Sequence, residues 1–280
     1  MKGDATFDGQ MLHHRSPRTG LNGIAFAVSF THIEDFEVRC VKPVLQEPAS
    51  HVTMTTPQPA RTPQVDPLAE KVLRKLAEHP ESSGVVLGGY FALRRYVDYR
   101  ETHDIYAWWL ERASPATERA IRCAIEAVAN EEGLQVGERR FGETLSLDLC
   151  AGDRKRLSFQ IAVRTITLEA PEPSAWPPIL IETLADTVGS KMNALVDRGA
   201  PRDFTDIHRL VQGGVVGAES CWAWWNRKNP GRTMEEGMQK IQLHLAALEL
   251  RRPLDSISIP VDRESAATLR GWFRGVFLHR

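Results

Sequence analysis

A short apolar run closed by paired glycines narrows the fold most. Val85-Val86-Leu87 leads into Gly88-Gly89, and Phe91, Leu93 and Tyr96 follow in a helical stretch. A run this short, bounded by breakers, reads as a buried strand; the glycines then turn the chain into a helix. Asp104 to Leu110, rich in aromatic and β-branched residues, reads as the next strand. A strand, a glycine turn and a helix N-terminus can together cradle an anion. Glycine lets the backbone approach closely, and free N–H groups and the helix dipole favour negative charge. An ordinary tight turn uses the same residues.

The rest of the chain divides around this unit. Residues 1 to 64 read as a tail: Glu47 to Pro67 is rich in Pro, Thr, Gln and Ser and lacks apolar periodicity. Met54 inside it is a candidate natural start, which N-terminal sequencing of the native protein would check. Asp66-Pro67 is a helix N-cap followed by proline, and Leu68, Val72, Leu73 and Leu76 recur at helical spacing. Ser114-Pro115 opens a long helix with Ile121, Ile125 and Val128 inward, and Gly133 ends it. Three strands are expected over 134–141, 144–149 and 157–163. The Pro-rich stretch Pro171 to Pro178 reads as a domain boundary, and five helices follow, over 181–197, 203–211, 218–225, 234–250 and 263–278. The expected fold is therefore α+β: a mixed-sheet domain over 65–178, then a helical subdomain over 179–280.

Composition removes several classes. Hydrophobic residues at 42% can build a core, and a formal net charge of -1 gives no global basic field. Cys40, Cys123, Cys150 and Cys221 are scattered without metal spacing, which fits reduced thiols in a cytoplasm. No apolar run approaches the ~20 residues a membrane helix needs. Trp108-Trp109 and Trp222-Ala223-Trp224-Trp225 read as apolar anchors, with Cys221 filling a gap beside them. The basic clusters Arg94-Arg95, Arg139-Arg140, Arg154-Lys155-Arg156 and Arg227-Lys228 read as solvated charges, or together as a surface for RNA. His13-His14 lies in the tail and carries no reading.

Two blocks in fixed order carry a resemblance. The first runs from Leu87-Gly88-Gly89-Tyr90 to Arg100-Glu101-Thr102-His103-Asp104-Ile105-Tyr106. The second runs from Ile181-Glu182 through Lys191-Met192-Asn193-Ala194-Leu195 to Arg198, Arg202-Asp203 and Asp206-Ile207. From Leu87 to Leu210 the chain resembles the AbiEii/AbiGii toxin-like nucleotidyltransferases. The resemblance implies a nucleotidyltransferase-type sheet with flanking helices and transfer of a nucleotide from a nucleoside triphosphate. It also implies an acceptor of the RNA class, a cognate antitoxin and magnesium. Gly88 and Gly89 would cradle phosphates, Asp104 would hold metal, Lys191 would reach phosphates, and Asp206 would orient groups or act in catalysis. Lys191, Ala194, Leu195 and Arg198 would share one helical face, and Arg202 and Asp203 would cap the next helix.

In the family the strand carries Asp-x-Asp, because side chains at i and i+2 share a face and two carboxylates there can hold two divalent ions ~3.5–4 Å apart. Here Tyr106 takes the second position, and a phenol is neutral at pH 7. A third acid would align with Gln160, with Asp148 the alternative. Glu101 and His103 flank Asp104. An inactive descendant that binds nucleotide, RNA or a protein partner is the alternative reading.

Overall fold

The computed structural model describes residues 65–164 and 166–279. The expectations for the tail, Met54, Cys40 and His13-His14 lie outside them. Helix α1 (Pro67–Ala77) starts as its sequence dictates. The Asp66 carboxylate accepts the N–H of Leu68 at 2.9 Å and of Ala69 at 3.3 Å. Pro67 sits where no N–H is needed. Val72, Leu73 and Leu76 are buried on one face, each contributing ~1.5–3 kcal/mol by leaving water.

Strand β1 (Val85–Gly88) follows a short 3₁₀ turn, Pro80–Gly84, and leads directly into helix α2 (Gly89–Leu93). Strand β2 (Asp104–Trp109) runs antiparallel to β1, and helix α3 (Pro115–Glu132) follows. Gly133, at φ 64°, ends α3 in the left-handed conformation that glycine adopts without penalty. Strands β3 (Gln135–Phe141), β4 (Thr144–Ala151) and β5 (Arg154–Ala162) then meander, and β6 (Glu172–Pro173) and β7 (Leu180–Ile181) complete a mixed sheet in the order β3-β4-β5-β2-β1-β7-β6. Strand β5 begins at Arg154, earlier than the apolar pattern suggests. Its first residues are exposed yet still pair with β4.

Strand β2 shows how the sheet separates its faces. Ile105, Ala107 and Trp109 are buried, while Asp104, Tyr106 and Trp108 alternate with them and are half-buried. The buried set joins α1, α3 and the inward residues of β4 and β5 in one apolar core. The half-buried set faces the cleft described below.

The helical half comprises α4 (Leu184–Asp197), α5 (Pro201–Gln212), α6 (Ala218–Lys228), α7 (Met234–Arg251) and α8 (Pro260–Trp272), the last running into a π-helical turn, Phe273–Phe277. Its core gathers Val188, Leu195, Phe204, Trp222, Trp225 and Phe273, and it also takes Tyr90 and Leu93 from α2. The mixed sheet flanked by helices is the expected α+β architecture. Strand β7, however, follows the Pro-rich stretch and still pairs with β1, so the sheet runs through Pro171 to Pro178. Among the described residues, no helix is long and apolar enough to cross a membrane.

Candidate functional site

A cleft of about 290 Å³ opens between the half-buried face of β2 and helix α4. Asp104, Tyr106 and Trp108 line one side, and Lys191, Ala194 and Arg198 line the other. Lys191 and Ala194 lie one helical turn apart on α4, and Arg198, the residue that ends the helix, follows a turn later. Leu195, expected on the same face, is instead fully buried in the helical core.

The sheet side is poor in acids. Asp104 is half-buried, and its carboxylate lies 3.9 Å from the Lys155 ammonium at the start of β5. Strand β5 brings Gln160 opposite Tyr106 in register and Ser158 opposite Asp104. Asp148 lies one strand further out and is already engaged: it accepts from Ser158 Oγ at 2.6 Å and from Arg139 at 2.6 Å. Among the described residues, no three His, Cys, Asp or Glu side chains converge to hold a metal ion. A two-ion centre ~3.5–4 Å across needs bridging carboxylates. The donors here are one carboxylate, a phenol and an amide, and they do not fit such a centre.

The glycine turn is fixed by its neighbours. A Cβ on Gly88 would stand 2.5 Å from Trp108 Nε1 and 2.6 Å from Glu182 Oε2, so only glycine fits. Gly89 has φ 65°, and the Tyr106 ring lies against it. The N–H of Gly89 is not free for a ligand, because it donates to Glu182 at 3.2 Å. Gly89 lines the cleft, whereas Gly88 stands behind it.

Behind the cleft-facing cations lies a layer of acids with almost no exposure. Asp206, on α5, is fully buried and pairs with Lys191 at 2.6 Å. It also accepts a hydrogen bond from the Tyr99 hydroxyl. It does not itself line the cleft; it holds the ammonium of Lys191, which does. Burial pushes the Lys191 ammonium below the ordinary lysine range, against the pull of Asp206. Burial and the Asp206 carboxylate push Tyr99 far up, which keeps it a phenol that donates. Asp203 accepts both Arg198 contacts at 2.8 Å and the N–H of Ala200, and so joins the end of α4 to the start of α5.

A second buried set stands at the other end. The Glu182 carboxylate pairs with Arg164, and burial pushes it up against the pull of Arg164 and Lys228. Asp186 pairs with Arg164 at 3.0 Å and with Lys228 at 2.7 Å. It also accepts the backbone N–H groups of Leu168 and Glu169. Burial alone would raise Asp186, but Lys228, the Leu168 N–H and Arg164 outweigh it and hold the carboxyl below its usual range. The Lys228 stem passes across Gly189 in the middle of α4, where a Cβ would lie 2.8 Å from its Cδ, and its ammonium also donates to Ile166 O.

Arg100 completes the lining. Its guanidinium stacks on the Tyr90 ring at 3.6 Å and approaches Asp206 at 3.9 Å. Three buried donors at this cleft, Arg100 Nε, Arg164 Nε and Trp108 Nε1, lack a protein acceptor. An unmatched buried N–H costs ~1–3 kcal/mol, and Trp108 Nε1 is turned toward Gly88, behind the cleft.

The family model described as "Nucleotidyl transferase AbiEii toxin, Type IV TA system" matches residues 71–255, which span both walls of this cleft. The chain belongs to the AbiEii nucleotidyltransferase toxin family. No curated protein matches it. A solved H. pylori structure, described as that of a candidate nucleotidyltransferase, aligns with a TM-score of 0.46 at 16% identity, covering 75% of this chain and 92% of that one.

Of the AbiEii-type positions read from sequence, Gly89, Asp104 and Lys191 meet at the cleft, and Gly88 and Asp206 support it from one layer back. Arg100, Trp108, Arg164, Glu182 and Asp186 carry no functional role in the sequence reading, and Lys228 enters it only as a solvated charge or part of a surface for RNA. Trp108 is not the apolar anchor it resembles: Trp109 enters the core while Trp108 faces the cleft. Lys228 is buried rather than solvated. The available signal was an acid set in apolar runs, as in Ile179-Leu180-Ile181-Glu182.

Proposed function

We propose that this protein binds a nucleoside triphosphate in the cleft and transfers its nucleotide to an acceptor of the RNA class. The observation carrying this reading is that Asp104 faces Lys191 across a groove also lined by Arg100, Arg164, Arg198 and Lys228. Polyphosphate chains are held by such cations, and bidentate guanidinium groups add direction to the charge. Nucleotidyl transfer leaves the protein little covalent work. Holding the phosphates in line with the incoming hydroxyl and stabilising the charge that develops supply most of the rate. The buried acids behind the cations fix their orientation before a ligand arrives. As a toxin-type member, the chain would be restrained by a cognate antitoxin.

Nucleotidyltransferases generally use divalent metals, and magnesium at Asp104 is the version of that chemistry expected from sequence. The single carboxylate supports no two-ion route. Tyr106 and Gln160, neutral where acids would stand, favour a second reading: nucleotide or RNA binding without transfer.

Labelled nucleoside triphosphates incubated with the protein, magnesium or manganese and total RNA separate the two. Transfer predicts incorporation that disappears in Asp104→Ala. Nucleotide binding with no incorporation, even for Tyr106→Asp, would sink the transferase reading.

A further inference from the structure

We infer that the triphosphate binds this cleft without a divalent cation, its charge being met by the protein's own ammonium and guanidinium groups. This rests on the nucleotide-binding reading above. The inference starts from the neighbour of Asp104. In a metal-dependent site that carboxylate holds the ion that meets the phosphates; here its nearest cation is Lys155, at 3.9 Å. Lys155 lies on the β5 strand paired in parallel with β2, so the sheet itself delivers a positive charge beside Asp104.

The second position is closed as well as neutral. The Tyr106 ring packs against Gly89: a Cβ placed there would stand 3.4 Å from its Cδ2 and 3.5 Å from its Cγ. An aromatic ring therefore occupies the space between the glycine turn and the strand. It offers only a neutral phenol oxygen to a hard cation, which prefers carboxylate and phosphate oxygens.

The phosphate-facing side, by contrast, has donors in reserve. Arg100, Arg164, Lys191, Arg198 and Lys228 all line it. A free triphosphate offers them oxygens that a bound magnesium ion would otherwise engage. Chelating the metal leaves the ligand more negative, which strengthens its attraction to these cations.

The test uses the full chain, with inorganic tripolyphosphate and a non-hydrolysable nucleoside triphosphate as probes. Calorimetric titrations are run in excess EDTA and in millimolar magnesium. Affinity in EDTA is expected to equal or exceed that in magnesium, within about threefold. Binding in magnesium that falls by about tenfold or more in EDTA would overturn the inference and leave the nucleotide site intact. Absence of binding in both buffers would overturn the site and the inference together. Lys155→Gln should weaken binding in EDTA more than in magnesium; equal affinity to the parent in EDTA would remove Lys155 from the account. Tyr106→Asp, checked for folding by its melting curve, should acquire a magnesium dependence the parent lacks. If it stays indifferent to magnesium, Tyr106 is not what closes the metal seat.

Discussion

The two walls of the cleft are built by opposite means. The helical wall, joined by Arg164 from just beyond β5, sets its cations on acids with almost no exposure: Lys191 on Asp206, Arg164 on Glu182 and Asp186, and Lys228 on Asp186. The sheet wall carries a half-exposed Asp104, a looser Lys155 and the neutral Tyr106 and Gln160. Charges removed from water must be paired at close range, so the helical wall tolerates little change. Charges left near water exchange partners at small cost, so the sheet wall can vary without unfolding the protein. On the proposed reading, the parts that would orient phosphates are tied to stability, while the parts that would hold metal are not.

That contrast can be broken most directly at Asp186. Replacing it in Asp186→Ala leaves the Lys228 ammonium only its Ile166 carbonyl contact and removes the acceptor of the Leu168 and Glu169 N–H groups. A loss of ~3–5 kcal/mol is expected, read from urea unfolding. A loss below ~1 kcal/mol would mean that water replaces the carboxylate and that the wall is less tightly built than the contacts imply. Gly88→Ala sits where the two walls meet, with its new methyl against Trp108 and Glu182. It should cost ~1–3 kcal/mol by overpacking and shift Trp fluorescence as Trp108 moves. The smallest effect belongs to the outer sheet. Arg139→Ala removes one exposed partner of Asp148 while Ser158 remains, and unfolding should change by under ~1 kcal/mol. A large loss there would erase the distinction between the walls.

The backbone of this arrangement was largely readable in advance. Asp66-Pro67, Ser114-Pro115 and Gly133 mark helix ends through local chemistry, and the aromatic and β-branched run from Asp104 places β2. The acid layer was not readable. Glu182 finds Arg164 eighteen residues away, and Asp186 finds Lys228 only after α5 and the turn beyond it return the chain. Such pairs are set by tertiary approach, which leaves no period in the sequence. Motif order singles out Lys191 and Asp206, but which of them lines the cleft depends on packing. The adjacent tryptophans illustrate the same limit: two identical side chains in one strand point to opposite faces, and only the register says which is wet.

Gly189 carries a consequence for engineering this protein. A glycine in mid-helix is an obvious candidate for replacement by alanine, which ordinarily gains ~0.5–1 kcal/mol. Here the vacancy at Gly189 is the passage through which the Lys228 stem threads to Asp186 and Ile166. Filling it would push aside a lysine anchored at its far end, so the usual propensity rule changes sign at this one turn of α4.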